Sequence, residues 1–280
     1  MKKILITGAN SYIGTSFETY MKQWIDEYQI ETVDMIGNEW RNKDFSDYDT
    51  VFHVAGIAHV KETKENRDIY YTVNRDLAIE TAKKAKLYGV KQFIFLSSMS
   101  VYGMETGVIT RDTIPTPKTN YGKSKLEAEQ GLKELMGNDF TVSIIRPPMV
   151  YGKDCKGNFQ TLVRIVRKFP VFPYVKNERS MIYICHLCAF IKLMINNKKH
   201  GVFFPQNKEY FQTVRVAKII AETLGKKVYV SRILGFIVEF ICLVYDKPKK
   251  AFKSLVYKNV EDFDYIYSDI PIDMTIRESV

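Results

Sequence analysis

Up to Arg146 the chain alternates short apolar runs with helix-forming stretches, and that alternation restricts the fold more than any other feature. Ile4–Thr7, Ile30–Asp34, Thr50–Ala55, Gln92–Ser97 and Thr141–Arg146 read as strands. Ser16–Tyr28, Tyr70–Tyr88 and Lys123–Leu135 read as helices, the second with apolar residues at Leu77, Ile79, Ala82 and Ala85. Parallel neighbours need crossover helices, and strands buried on both faces are apolar throughout rather than alternating. The expected fold is therefore α/β, a doubly wound parallel sheet. Gly89, just past the second helix, is placed to end it.

After Pro147-Pro148 the pattern loosens. A helix over Phe159–Lys168, a strand over Arg179–Ile184 and helices over His186–Asn196 and Thr213–Leu224 are followed by less regular sequence. The expected organisation is a main domain of residues 1–148, to which 179–204 return. A small C-terminal lobe is expected from 149–178 and 205–280. With 280 residues, 46% hydrophobic and 26% charged, the composition is that of a soluble globular protein. A net charge of +9 favours anionic ligands, but the basic residues are scattered, so nucleic acid is not an expected partner. The four cysteines, 155, 185, 188 and 242, form no disulfide framework. Cys185 and Cys188 make a lone CxxC without a partner pair, read as packed thiols and not as a metal site. No leader sequence is evident, and the expected compartment is the cytoplasm. The apolar run within 232–250, interrupted by Glu239, is too short to span a bilayer. Its lysine flank would suit a helix in the membrane interface, but packing on the body or on a second subunit is expected instead.

The opening MKKILITGANSYIG runs from strand to glycine turn to helix, which aims backbone N–H groups and the positive end of a helix at an anion. Gly8 suits the tight turn and Gly14 the close packing of helix on strand. Ser11 stands where a third glycine would be usual, and offers a hydroxyl; Asn10 beside it tolerates a positive φ. Asp34, twenty residues beyond Gly14 at the end of the second strand, suits a ribose 2′-OH and would repel a 2′-phosphate, favouring NAD over NADP.

Further along, FIFLSSMSVYG (93–103) precedes NYGKSKLEAE (120–129). Tyr121 and Lys125 are four apart and share one helix face. A phenol titrating near ~10 is a poor base, and an ammonium beside it is expected to lower that value. Ser98 is placed to bond the same substrate oxygen as Tyr121, so that the pair moves a proton while a nicotinamide moves a hydride.

The ordered motifs TGANSYIG, HVAG, TVNRDL, SSMSVYG, YGKSK and RPPMVYG resemble the extended short-chain dehydrogenase/reductases, the group of NAD-dependent nucleotide-sugar epimerases and dehydratases, over roughly residues 1–205. The resemblance implies a Rossmann-type sheet with a small C-terminal substrate lobe. It implies Ser98, Tyr121 and Lys125 as catalytic residues, Lys125 also holding the nicotinamide ribose. For NAD it implies the loop Gly8, Asn10, Ser11, Tyr12, Ile13 and Gly14, with Asp34, Asp44 and Phe45 at the adenosine end, and Ala55, Gly56 and Asn74 nearby. For substrate it implies Ser98, Met99, Asn158 and Arg179, the arginine gripping a diphosphate; Arg164 is a weaker candidate. The implied substrate is a nucleoside diphosphate sugar, UDP-linked, and the implied state a homodimer. The activity expected is 4-epimerisation by transient oxidation at C4, in surface polysaccharide sugar biosynthesis. An NAD(P)H-dependent 4-keto sugar reductase and a non-catalytic NAD-binding regulator are the alternatives. His186, in place of an acid common in the family, is expected to be a packed residue.

Overall fold

The computed structural model describes residues 1–58, 62–63 and 65–280, with all their side chains except those of Asp246 and Lys247. The chain divides into two compact units: residues 1–103, 114–147 and 188–205, and residues 104–113, 148–187 and 206–280. Residues 104–113 and 179–187 thus cluster with the second unit, although the sequence pattern assigns them to the first.

The first unit is built on six strands: β1 (Lys2–Thr7), β2 (Tyr28–Val33), β3 (Thr50–His53), β4 (Gln92–Leu96), β5 (Thr141–Ile145) and β6 (Gly201–Phe203). They lie in the order β6-β5-β4-β3-β1-β2, every pair parallel. Side chains alternate between faces along each strand. Leu5, Val51, Phe93, Phe95, Val142 and Ile144 share a cluster with Ala78, Ala82, Ala85, Ala128 and Leu132. These alanines and Leu132 come from α3 (Leu77–Leu87) and α4 (Asn120–Glu134), which are preceded by α1 (Tyr12–Met21) and α2 (Arg67–Tyr71). On the opposite face, Phe17 of α1 sets its ring edge on Phe52, with centroids 5.3 Å apart. Small residues let α3 and α4 approach the sheet closely, and each large apolar side chain so buried contributes about 1.5–3 kcal/mol. The last helix, α5 (Ile184–Asn197), precedes β6.

Two elements differ from the sequence expectation, each for a local reason. The first helix stops at Met21 rather than Tyr28, because Tyr28 is the residue of β2 that pairs in register with Lys2. The long second helix is broken by a π turn over Thr72–Asp76, which turns Asn74 wholly inward. Gly89 ends α3 in the left-handed region at φ +81°, as expected.

The second unit holds three two-stranded parallel ladders, pairing 149–151 with 181–183, 171–173 with 229–231, and 107–109 with 255–257. Its helices include Asn158–Lys168, Thr213–Thr223, Arg232–Val244 and Ile272–Glu278. The helix over 232–244 replaces the irregular stretch expected there. His186 is buried, its Nδ1 2.9 Å from Asn207 Oδ1 and its Nε2 accepting from the Ile270 amide, which is the packed role expected of it. Burial holds its pKa below the usual histidine range.

Candidate active site

Ligands of doubly wound sheets bind at the carboxyl ends of the strands where the strand order reverses, here between β1 and β3. Thr7 ends β1 and His53 ends β3, and their side chains bond at 2.7 Å, pinning the two strand ends together. Gly8 follows with φ +117°, and a Cβ there would stand 2.8 Å from the Ala55 amide nitrogen. Only glycine fits that cradle. Its amide and that of Ala9 both donate to the Val33 carbonyl, tying the turn to β2. Asn10 takes the positive φ expected of it, +64°.

Ser11 proves to be the N-cap of α1, its Oγ accepting from the Gly14 amide at 3.1 Å. The serine in place of glycine thus starts the helix whose first turn, Tyr12 and Ile13, presents amides beyond the helix's own ladder. Gly14 is buried between Ser11, Val54 and Ile6, so helix and strand pack without a side chain between them. Asp34, exposed, follows β2 directly, and its Oδ1 accepts from the Ile36 amide. The turn, the helix N-terminus and this carboxylate together fit a dinucleotide: a tight backbone cradle for the pyrophosphate and an acceptor for a ribose hydroxyl.

Asp44 and Phe45 follow the short helical turn over Glu39–Asn42. Asp44 is exposed, its carboxylate held below the usual range by the Ser46 amide. Phe45 turns its ring wholly into the core.

The second cluster lies past the ends of β3 and β4. Ser98, just beyond β4, accepts from the Ser100 amide at 3.1 Å, and Met99 donates its amide to the Pro147 carbonyl. Thr119 caps α4 through the Gly122 amide, and a Cβ on Gly122 would stand 2.6 Å from the Ser100 carbonyl oxygen. That close approach holds the first turn of α4, with Tyr121, against the turn that Ser98 opens. Burial pushes the phenol's pKa up, Ser98 works against the rise, and Tyr70 adds to it. The sequence reading expected a lowered value; instead Lys125 donates its ammonium to the Leu96 carbonyl at 2.9 Å and lies 4.6 Å from the Phe95 ring centroid. Burial lowers the Lys125 pKa to about 8, with Glu129 opposing the fall.

Gly56 completes the cluster, since a Cβ on it would meet Asn74 Oδ1 at 2.9 Å and Lys125 Nζ at 3.2 Å. Asn74 is fully engaged: it accepts from the Ile57 amide and donates to the Ile57 carbonyl and to Ser124. It staples the chain after β3 to α4. Sequence reasoning missed two supports. Glu62 accepts from the Asn120 and Tyr121 amides at the start of α4. Behind Lys125, Glu129 is gripped by Arg146 and by Ser97, and Arg146 also donates to Tyr102 at 2.7 Å. Glu129 and Arg146 are four residues from Lys125 and one beyond β5, so their buried pairing becomes visible only once α4 is laid beside the sheet.

The pattern of the NAD dependent epimerase/dehydratase family matches residues 4–204, which takes in the turn, Asp34 and the Ser98–Tyr121–Lys125 cluster. The chain belongs to the NAD-dependent epimerase/dehydratase family. Among curated proteins it is 31% identical over 251 residues to a UDP-glucose 4-epimerase of Vibrio cholerae, covering 80% of this chain and 76% of that protein. It is 26% identical to an N-acetyl-alpha-D-glucosaminyl-diphospho-ditrans,octacis-undecaprenol 4-epimerase of Escherichia coli O157:H7, over 80% of this chain and 73% of the relative. Among solved structures, the UDP-glucuronic acid 4-epimerase of Bacillus cereus with NAD superposes with a TM-score of 0.75 at 20% identity, covering 99% of this chain and 97% of that one. The six-stranded parallel sheet is thus the Rossmann-type sheet of the epimerase/dehydratase family.

In the second unit, Asn158 is exposed at the first position of its helix, after Gly157 at φ +107°. Arg179 is half-buried, and its Nη1 donates to the Lys253 carbonyl at 2.8 Å and to that of Lys249. Burial lowers its pKa. One arm of the guanidinium is therefore committed to backbone, a role the sequence expectation of a diphosphate grip did not include. Arg164 is exposed and bonds within its own helix, to the Gln160 carbonyl.

Proposed function

We propose that this member of the NAD-dependent epimerase/dehydratase family is a nucleotide-sugar 4-epimerase acting on a UDP-hexose or UDP-N-acetylhexosamine. The observation that carries the reading is Tyr121 in the first turn of α4, packed on the turn that Ser98 opens and one helical turn from a buried Lys125. The Gly8 turn, the first turn of α1 and Asp34 would hold NAD, with Lys125 at its nicotinamide ribose. When bound, NAD supplies an acceptor for the C4 hydrogen and gives it back.

The residues' part follows from their geometry. Ser98 and Tyr121 both grip the C4 oxygen, and Tyr121 takes its proton and later returns it. The phenol's raised pKa keeps it protonated at rest. A positively charged nicotinamide and the Lys125 ammonium nearby would favour phenolate when the site is filled. Asn158 and Arg179 are the second unit's candidates for the nucleotide and the diphosphate. The substrates named for the two curated relatives are both a hexose on a diphosphate, which supports this class of substrate.

Incubation of the purified protein with UDP-glucose and, separately, UDP-N-acetylglucosamine, followed by NMR of the sugar, tests the reading. It predicts the C4 epimer without net formation of NADH. Y121F should lower the rate on the order of 10²–10⁴-fold while NAD binding persists. An unchanged rate in Y121F contradicts it, as does inertness towards both UDP-sugars together with stoichiometric NADH consumption on a UDP-4-keto-6-deoxy sugar, which is the behaviour of a reductase.

A further inference from the structure

We propose that the helix Arg232–Val244 is a membrane-docking element, laying its apolar face on an anionic lipid surface. One edge of this helix packs on its own unit: Gly235 and Cys242 are buried, and a Cβ on Gly235 would stand 2.2 Å from the Tyr174 carbonyl oxygen. The opposite face is bare. Ile233, Phe236, Phe240 and Leu243 are 74%, 72%, 68% and 76% exposed, and Ile237 and Val244 are exposed between them. At 100° per residue these six fill one continuous arc of roughly 120°. The apolar surface continues into the strand that enters the helix, where exposed Tyr229 stands in register with exposed Val171. Isolated exposed apolar residues need no explanation, but a contiguous stripe on one helix does.

Length and charge decide what covers it. No helix among the described residues is long and apolar enough to cross a membrane, so the contact lies in the plane of an interface. Arg232 opens the helix at the border of the arc. Lys249, Lys250 and Lys253 follow its C-terminal end, Lys250 in a partly exposed pair with Glu105 at 3.3 Å. Glu239, the helix's one acid, falls outside the arc on the Arg232 side. A second copy seated on this face would set the same cationic border against itself, which is repulsive in a symmetric contact. An anionic headgroup layer neutralises the border while the apolar arc enters the acyl boundary.

The test is sedimentation of the full chain with vesicles of phosphatidylcholine alone and of phosphatidylcholine mixed with phosphatidylglycerol. Binding is expected to the mixed vesicles, to weaken with salt, and to fall on the order of tenfold in F236D/F240D, with melting temperature and NAD binding unchanged. In F240W, the added indole should shift its emission to the blue when mixed vesicles are added. Wild-type protein left in the supernatant, equal binding to neutral vesicles, or equal binding by F236D/F240D overturns the proposal. So does a wild-type dimer that F236D/F240D splits without any vesicle binding, which assigns the face to a second copy.

Discussion

Lys125 is a buried cation whose charge is held at a cost, and that makes it the residue whose titration reports on the site. Its pKa of about 8 lies below the ordinary 10.5, so the ammonium is present below about pH 8 and lost above it. NAD affinity is therefore expected to weaken as pH rises through about 8, and K125M should lack that limb; a pH-independent wild type contradicts the proposed ribose contact. The stability effect has the opposite sign. Between about 8 and 10.5 the unfolded chain binds more protons than the folded one, so the contribution of this group to stability rises with pH there. Asp34 is the second residue with a clear expectation. D34A should lower the preference for NAD over NADP, read from the two dissociation constants, because it would remove both the proposed ribose acceptor and a charge that would repel a 2′-phosphate. Tyr121 and Lys125 were legible in the sequence because a spacing of four is a geometric statement on a helix. The direction of the phenol's pKa was not, since the commitment of Lys125 to the Leu96 carbonyl depends on where β4 ends beside α4.

The turn between β1 and α1 is an element whose parts have separable duties. Gly8 supplies the cradle, Asn10 the left-handed step and Ser11 the helix cap. G8A places a methyl against the Ala55 backbone, and it should abolish NAD binding as well as lower the melting temperature. S11A removes only the cap and should cost about 1 kcal/mol of stability with NAD bound nearly as well. Circular dichroism melts with and without NAD distinguish the two; equal effects of both substitutions contradict the division of roles. The positions of β1, β3, β4 and β5 were legible because each centres on buried, mostly apolar residues, whereas the three-residue edge strand β6 was not among the expected strands. The end of α1 and the π turn around Asn74 were not, because both are set by partners distant in sequence: Lys2 for Tyr28, and Ile57 with Ser124 for Asn74.

At the scale of the whole molecule, the net charge of +9 is a favourable field for a diphosphate-bearing substrate. The kcat/KM for a UDP-sugar is accordingly expected to decline as ionic strength rises, with kcat little changed; a salt-independent kcat/KM contradicts that contribution. The doubly wound parallel sheet and the family were within reach of the sequence, whereas the order of its strands and the small ladders of the second unit were not. Those strands are three residues each and pair segments far apart, so they carry little local pattern. The helix Arg232–Val244 shows the same limit, since its apolar run predicts burial while the fold covers only one edge. The measurement closest to the central claim is the fate of a deuterium placed at C4 of the UDP-sugar. The account predicts that the product is the C4 epimer with deuterium retained at C4 and none in solvent or released cofactor. Loss of the label with conversion intact, or its appearance in free NADH, would contradict an epimerisation carried out at Tyr121 within one closed cycle.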